Sequence, residues 1–285
     1  LVGSEMCIRD RSYPEVVDHP LFAPPFRWRM AVRSLGAPDW LQPDDLRERD
    51  LAEKAATLAD PDNDALRFLP GSERASTAVL DLVAADLERR GLALATEGAH
   101  PIDVAARSIQ EDVCLMERDA AAWRLTAGSV CFPTRWSLAD KIGGTLAGIH
   151  DPVPDYATQI GPQVDRFFDR MAPGAIAYRI NWSLVGDPAR RLPARHRQAP
   201  EVIPADPATD LFVRLERQTL RRLDEHAAIV FGIRIHVWPL GDVVSALPAH
   251  AFAAEIASAP RAVAHYKNLD GCLLYTSPSP RDRSL

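Results

Sequence analysis

The stretch "AGIHDPVPDY", residues 147–156, ends a helical pattern on a histidine and follows it with Asp151-Pro152-Val153-Pro154. A residue before proline is pushed out of the helical region, so the helix has to stop here and the prolines fix its exit. An imidazole on so stiff a mount has the orientation an axial metal ligand needs. The same position suits a histidine bonded to the last helix carbonyls, where partial negative charge collects. Spacing alone leaves both chemistries open.

The other candidate groups lie on segments of strand periodicity. In "AIAYRINWSLV", Arg179, Asn181 and Ser183 alternate onto one face, and Tyr178, Ile180 and Trp182 onto the other. A strand reading of "LFVRLERQTLRRL" aligns Arg214, Glu216 and Gln218, although Leu211, Leu215 and Leu223 also fit a helix. The strand is preferred because a short turn near 224–226 leads into a strong strand. If the two polar faces meet, the arginines can hold carboxylates and Glu216 an ammonium; a salt-bridged outer face is the plainer alternative. His236 shares a strand face with Arg234 and Trp238 and is the rival ligand position. His226 belongs to a turn, and His19, His196 and His265 read as surface residues. Glu111 and Asp112 in "QEDVCLM" read as the solvated edge of a helix.

These groups need elements to hold them. "HPLFAPPFRWRMAVRSL" reads as an extended arm lying on other structure, and "DDLRERDLAEKAATLAD" as a helix with Leu46, Leu51, Ala55 and Leu58 at helical spacing. "STAVLDLVAADLERRG" is a second helix, with Ser76 as cap and Gly91 as stop. "PIDVAARSIQEDVCLMER" makes a third, with Pro101 in its first turn. "WRLTAGSVCFP" is a strand ended by Pro133. "SLADKIGGTLAGIH", capped by Ser137, and "IGPQVDRFFDRMAPG" are short helices. Three strands follow, the clearest being "AIVFGIRIHVWPL", where Ile229, Phe231, Ile233, Ile235 and Val237 share one face. A final helix covers "SALPAHAFAAEIASA". The class is α+β, a single domain over 12–271 with a helical extension at about 12–120 and a β-rich core at about 121–242.

The two ends read differently. "LVGSEMCIRD" and "CLLYTSPSPRD" can be encoded by opposite strands of one DNA that resembles a transposon-end library adapter, so residues 1–11 and 272–285 are expected to be adapter-derived. Without them the cysteines fall from four to Cys114 and Cys131. Neither a disulfide framework nor a zinc spacing remains, and a reducing, cytoplasmic compartment is expected. The formal charge of −6 becomes −7, because Arg281, Arg283 and Asp282 leave with a net +1. That acidity argues against nucleic acid, and no apolar run approaches the roughly 20 residues of a membrane helix. "IGGTLAG" lacks the order of a dinucleotide fingerprint and a Walker lysine.

Taken in order, "IQEDVCLM", "CFPTRWSLADKIGGTLAGIHDPVP", "YRINWSL", "RLERQTLRRL" and "AIVFGIRIHV" resemble the haem-dependent oxidative N-demethylase family, alpha subunit, also described as dimethylamine monooxygenase-like, over about 22–267. The resemblance implies a haem-binding PAS fold: a five-stranded antiparallel sheet with short helices, wrapped by N-terminal and C-terminal helices. It implies haem b and O2 activation at iron. A small N-methylated amine would be oxidised to the demethylated amine and formaldehyde, with electrons from NADPH through FMN and 2Fe-2S centres on partner subunits. On this resemblance His150 becomes the axial ligand, with His236 as rival. Lys141, Arg179 and Arg214 become candidates for the propionates or the polar distal region, and Glu216, with Asn181 beside it, for the substrate ammonium. Many relatives are expected to carry a tyrosine near His236. The rival function is a non-enzymatic haem-PAS module for gas or small ligands, and a third reading is a haem-free structural protein.

Overall fold

The computed structural model describes residues 23–60, 62–194, 206–246 and 249–269. The expected adapter tails, His19 and His196 lie outside the described residues. Within them, one antiparallel sheet runs β1-β5-β6-β7-β3-β4-β2. Its strands are β1 (Arg33–Ser34), β2 (Leu66–Phe68), β3 (Asp112–Arg118), β4 (Trp123–Ser129), β5 (Ile176–Val185), β6 (Phe212–Arg222) and β7 (Ala228–Pro239). Seven strands replace the expected five because two short edge strands are added, β1 on β5 and β2 on β4.

Helix α1 (Arg47–Ala59), α2 (Glu73–Arg89) and α3 (Pro101–Ser108) precede β3. The short α4 (Leu146–Ile149), α5 (Tyr156–Gln159) and α6 (Gly161–Arg170) lie between β4 and β5. Helix α7 (Pro207–Asp210) leads into β6, while α8 (Leu240–Ala246), α9 (Ala249–Ser258) and α10 (Arg261–Tyr266) follow β7. As expected, β6 is a strand, and just beyond its end the Leu223 N–H donates to the Ala228 carbonyl at 3.0 Å, closing the turn into β7. Over its described residues, 23–35, the arm expected to lie on other structure does so: Phe26 N–H donates to Ser258 Oγ on α9 at 2.8 Å.

Four local expectations are corrected. The third helix stops at Ser108, and Val113 to Met116 form a central strand buried on both faces, so the strand-rich core begins at Asp112 rather than near 121, with the short edge strands β1 and β2 contributed from farther upstream. A continuous apolar run in a central strand looks the same as a buried helix in a single sequence. Glu111 and Asp112 are therefore buried, not solvated. Ser76 lies inside α2, whose N-cap is Ser72, while Gly91 does stop it with φ +68°. The helix expected from Ser137 is mostly turn, and only Leu146–Ile149, capped by Thr145, is helical.

The sheet has two unlike faces. One carries Tyr178, Ile180 and Trp182 with Val213, Leu215 and Trp238, and is covered by apolar residues of α8 and α9. The α2 and α3 residues Val79, Val83 and Ile102 continue that layer over Val113, Leu115 and Val230. The other face is mixed. Ladder register puts Arg179 opposite Gln218, Asn181 opposite Glu216 and Ser183 opposite Arg214. Phe231, Ile233, Ile235 and Val237 extend this face on β7. The chain from 130 to 170 covers it, through Val130, Leu138, Leu146 and Phe168.

Candidate functional site

The mixed face meets His150. Thr145 caps α4 by accepting from Gly148 N–H at 3.2 Å, and His150 follows as the C-cap residue. Its Nδ1 lies 2.8 Å from the Leu146 carbonyl, so Nδ1 carries the proton and donates. The helix-capping alternative is thus realised, and it leaves Nε2 as a bare lone pair, since no described residue hydrogen-bonds it. Asp155 adopts φ 57°, which turns the chain back and lays Tyr156 flat on the imidazole, centroids 4.4 Å apart and planes 7° from parallel. Gly161 keeps this stack possible: a Cβ there would meet Tyr156 Cε1 at 3.2 Å. Burial pushes the His150 pKa down to about 4, the bond to Leu146 acts in the opposite direction, and Lys141 and Arg179 add to the depression. The ring is neutral near pH 7, the form that binds a metal.

Lys141 closes the same turn, donating from Nζ to the Ile149 carbonyl at 2.5 Å while lying over the Trp136 ring. Burial lowers its pKa, against the attraction of Cys114, Asp140 and Glu216. Glu216 accepts from Thr134 Oγ1 at 2.8 Å, from Gln218 Nε2 at 2.8 Å and from Asn181 Nδ2 at 3.3 Å. An ionised carboxylate offers about four acceptor positions, so three donors leave room for one more N–H.

The two arginines differ. Arg214 is fully buried and committed to the loop after β4, donating from Nε to Thr134 Oγ1 at 2.8 Å and from Nη2 to the Phe132 carbonyl at 2.7 Å. Burial takes its pKa down to about 10. It touches Glu216 only through Thr134. The far end of that loop is held by Asp112, which accepts from the N–H groups of Cys131 and Phe132 at 2.9 and 2.8 Å. Arg179 is half-buried, and among the described residues its Nε is buried without any hydrogen-bond partner. Burial lowers its pKa, opposed by Glu216, Tyr266 and Tyr156. The Tyr156 hydroxyl is also buried and unpartnered among the described residues. Orphaned donors of this kind point to a polar ligand group beside them.

His236 lies on the opposite face of the sheet, opposite Leu215, stacked on Trp238 at 5.3 Å. The cleft beside it, about 300 Å³, is lined by Asp50, Arg190 and Arg234, whose charges pair with one another. Among the described residues no three His, Cys, Asp or Glu side chains gather as a metal cluster. Cys114 and Cys131 are buried free thiols, both pushed up to about 12 by burial.

The structure thus gathers His150, Lys141, Arg179, Asn181, Arg214 and Glu216 at one face and separates His236 from them. Sequence reasoning missed Thr134, Tyr156, Tyr266 and Lys267. Tyr156 was discoverable, being six residues beyond His150 in the opening stretch. Lys267 was not, since nothing in its local sequence marks it as reaching Asn181, 86 residues away.

No described helix is long and apolar enough to cross a membrane. A family model described as haem-dependent oxidative N-demethylase, alpha subunit-like, matches residues 90–272, which span every group of the site. The chain belongs to the haem-dependent oxidative N-demethylase, alpha subunit-like family.

Proposed function

We propose that this chain is the haem-carrying subunit of an oxidative N-demethylase, with haem b and a small N-methylated amine meeting on the face that carries Arg179 and Glu216. The observation that carries the proposal is His150: a neutral imidazole with Nδ1 tied to a backbone carbonyl and Nε2 left for another partner, on the side of the sheet that holds the free guanidinium. A metal-binding histidine almost always donates its other ring N–H to a carboxylate, a backbone carbonyl or water, and His150 does so to a carbonyl.

The residues present fit the group. Arg179 with the Tyr156 hydroxyl offers donors to carboxylates such as propionates, and Phe231 and Val237 are partly buried apolar side chains on the same face, where Ile233 and Ile235 are already covered by Cys131 and Phe132. Lys141 and Arg214 add positive charge, although several of their donors are already committed. Haem, when bound, supplies O2 activation and oxidation of the N-methyl group to formaldehyde. His150 would hold it from Nε2. Glu216 would accept the amine's N–H, with Asn181, Gln218 and Thr134 fixing the carboxylate in place. The antiparallel sheet with short helices on its mixed face supports the PAS reading. The alpha-subunit character of the family supports partner subunits, which by this reading carry NADPH, FMN and a 2Fe-2S centre. The buried free thiols suit a reducing cytoplasm.

The substrate role has a direct test. Glu216→Gln keeps the shape and two of the acceptor contacts but removes the charge, and breaking a hydrogen-bonded charge pair costs about 2–5 kcal/mol. The expected result, in formaldehyde release from dimethylamine with supplied electrons, is a fall of about 30-fold or more in kcat/KM with an unchanged Soret band. Unchanged kcat/KM would remove Glu216 from amine binding. A normal Soret band with no formaldehyde from any N-methylated amine would support the gas- or ligand-binding module instead.

A further inference from the structure

Helix α10 ends in a motif that plants a lysine at the edge of β5. Asn268 takes φ +58°, its N–H bonds the His265 carbonyl at 3.1 Å, and the Leu269 N–H reaches back to the Ala264 carbonyl at 2.7 Å. This left-handed close is a Schellman stop with asparagine in glycine's usual place. The chain leaving it runs along the open edge of β5, where the Leu184 N–H donates to the Lys267 carbonyl at 3.2 Å and Asn268 Nδ2 to the Leu184 carbonyl at 3.1 Å. The Lys267 side chain, 6% exposed, follows the edge toward the mixed face.

There its Nζ donates to the Trp182 carbonyl at 2.7 Å and to Asn181 Oδ1 at 3.2 Å, while lying over the Trp182 ring. Asn181 turns its other end, Nδ2, to Glu216. The amide therefore has one orientation: its oxygen faces the ammonium and its nitrogen faces the carboxylate. Flipping it would set an N–H against an ammonium and an oxygen against a carboxylate. Lys267, Asn181 and Glu216 form one polarised chain of hydrogen bonds.

We propose that Lys267 is a positioning residue for the site: through Asn181 it holds the Glu216 carboxylate in the orientation that accepts the amine. The inference rests on the role given to Glu216 above. Lys267 never touches the amine. Burial brings its pKa down to about 8, helped by Arg179 and opposed by Glu216 and Glu255, the charged groups around it, so it remains mostly cationic near neutrality.

The test compares Lys267→Met, Asn181→Ala and their double variant in the haem-loaded protein. Lys267→Met removes the cation. Asn181→Ala breaks the chain while leaving Lys267 bonded to the Trp182 carbonyl, so it keeps the idea testable if the first variant folds poorly. Each single variant is expected to raise KM for dimethylamine about tenfold with kcat within about twofold, and the double variant to be no worse than the weaker single, as for groups acting in series. By NMR, water exchange of the Asn181 side-chain amide is expected to accelerate about tenfold or more in Lys267→Met. Unchanged amide exchange, an unchanged KM where Glu216→Gln raises it, or single effects that multiply in the double variant would overturn the proposal. If Glu216→Gln leaves KM unchanged while amide exchange still accelerates, the positioning chain stands and the substrate role of Glu216 falls.

Discussion

Replacing His150 with alanine is expected to weaken haem binding by at least about 100-fold and to remove or displace the wild-type Soret band. Even supporting partners of a metal-binding histidine are worth about 10- to 100-fold in affinity, and here the bond to iron itself is lost. The fold should survive. The side chain is half-buried and contributes one bond to the Leu146 carbonyl, about 1 kcal/mol, and one stack on Tyr156, about 0.5–1.5 kcal/mol, against a total stability of roughly 5–15 kcal/mol. Haem titration with circular dichroism on the same samples separates loss of cofactor from loss of fold. His236→Ala is the control, since its ring lies across the sheet against Trp238 and should leave the Soret band in place. The opposite pattern, with His236→Ala losing haem and His150→Ala keeping it, transfers the ligand role to His236.

The largest stability effect is expected far from that face. Asp50 on α1 is fully buried and accepts from Arg234 Nη1 at 2.8 Å and Gln110 Nε2 at 2.9 Å, with Arg190 as a further ion-pair partner. Asp50→Ala would leave Arg234, 1% exposed, with Asp44 as its remaining carboxylate and Arg190, 10% exposed, with Glu53, both facing a hole where the shared buried carboxylate had been. Removing one partner of a buried ion pair costs about 3–5 kcal/mol. For a chain of this size the melting temperature should fall by roughly 10 °C. Burial pushes the Asp50 carboxyl up, but Arg234, Gln110 and Arg190 more than reverse this and leave it below its ordinary value. A carboxyl depressed on folding stabilises fully above its unfolded pKa of about 3.9 and loses that contribution as pH falls through the folded value. Acid titration of stability should therefore be steeper below about pH 4 in the wild type than in Asp50→Ala. Equal slopes and equal melting temperatures would show that the network is not what ties α1 to the sheet.

This network also shows where sequence reading succeeds and fails. The α1 helix was legible from Leu46, Leu51, Ala55 and Leu58, yet the fully buried side chains are Asp50 and Lys54, facing charges that arrive from β7 and from Asp112 at the start of β3. Hydrophobic spacing finds a helix; it cannot show that a charged stripe is buried, because the partners are distant in sequence. Alternation placed Arg179, Asn181 and Ser183 on one face and Arg214, Glu216 and Gln218 on another, and antiparallel pairing joined them rung by rung. The separation of His236 from that face follows from the same period of two, because residues 234, 236 and 238 point away from 233, 235 and 237. What alternation could not supply was the cover. The turn at 138–144 and the seat of Lys267 depend on tertiary bonds, such as the Gly143 N–H donating to the Leu125 carbonyl at 2.7 Å.

The central claim is that His150 Nε2 binds the iron of a haem seated on the Arg179 and Glu216 face. A crystal structure of the haem-loaded protein tests it most directly. The predicted result is an iron–Nε2 bond from His150, with the Nδ1 bond to the Leu146 carbonyl retained and a propionate at Arg179. Iron bound by His236 or by another side chain, or a macrocycle seated on the face bearing Tyr178 and Trp182, would contradict it.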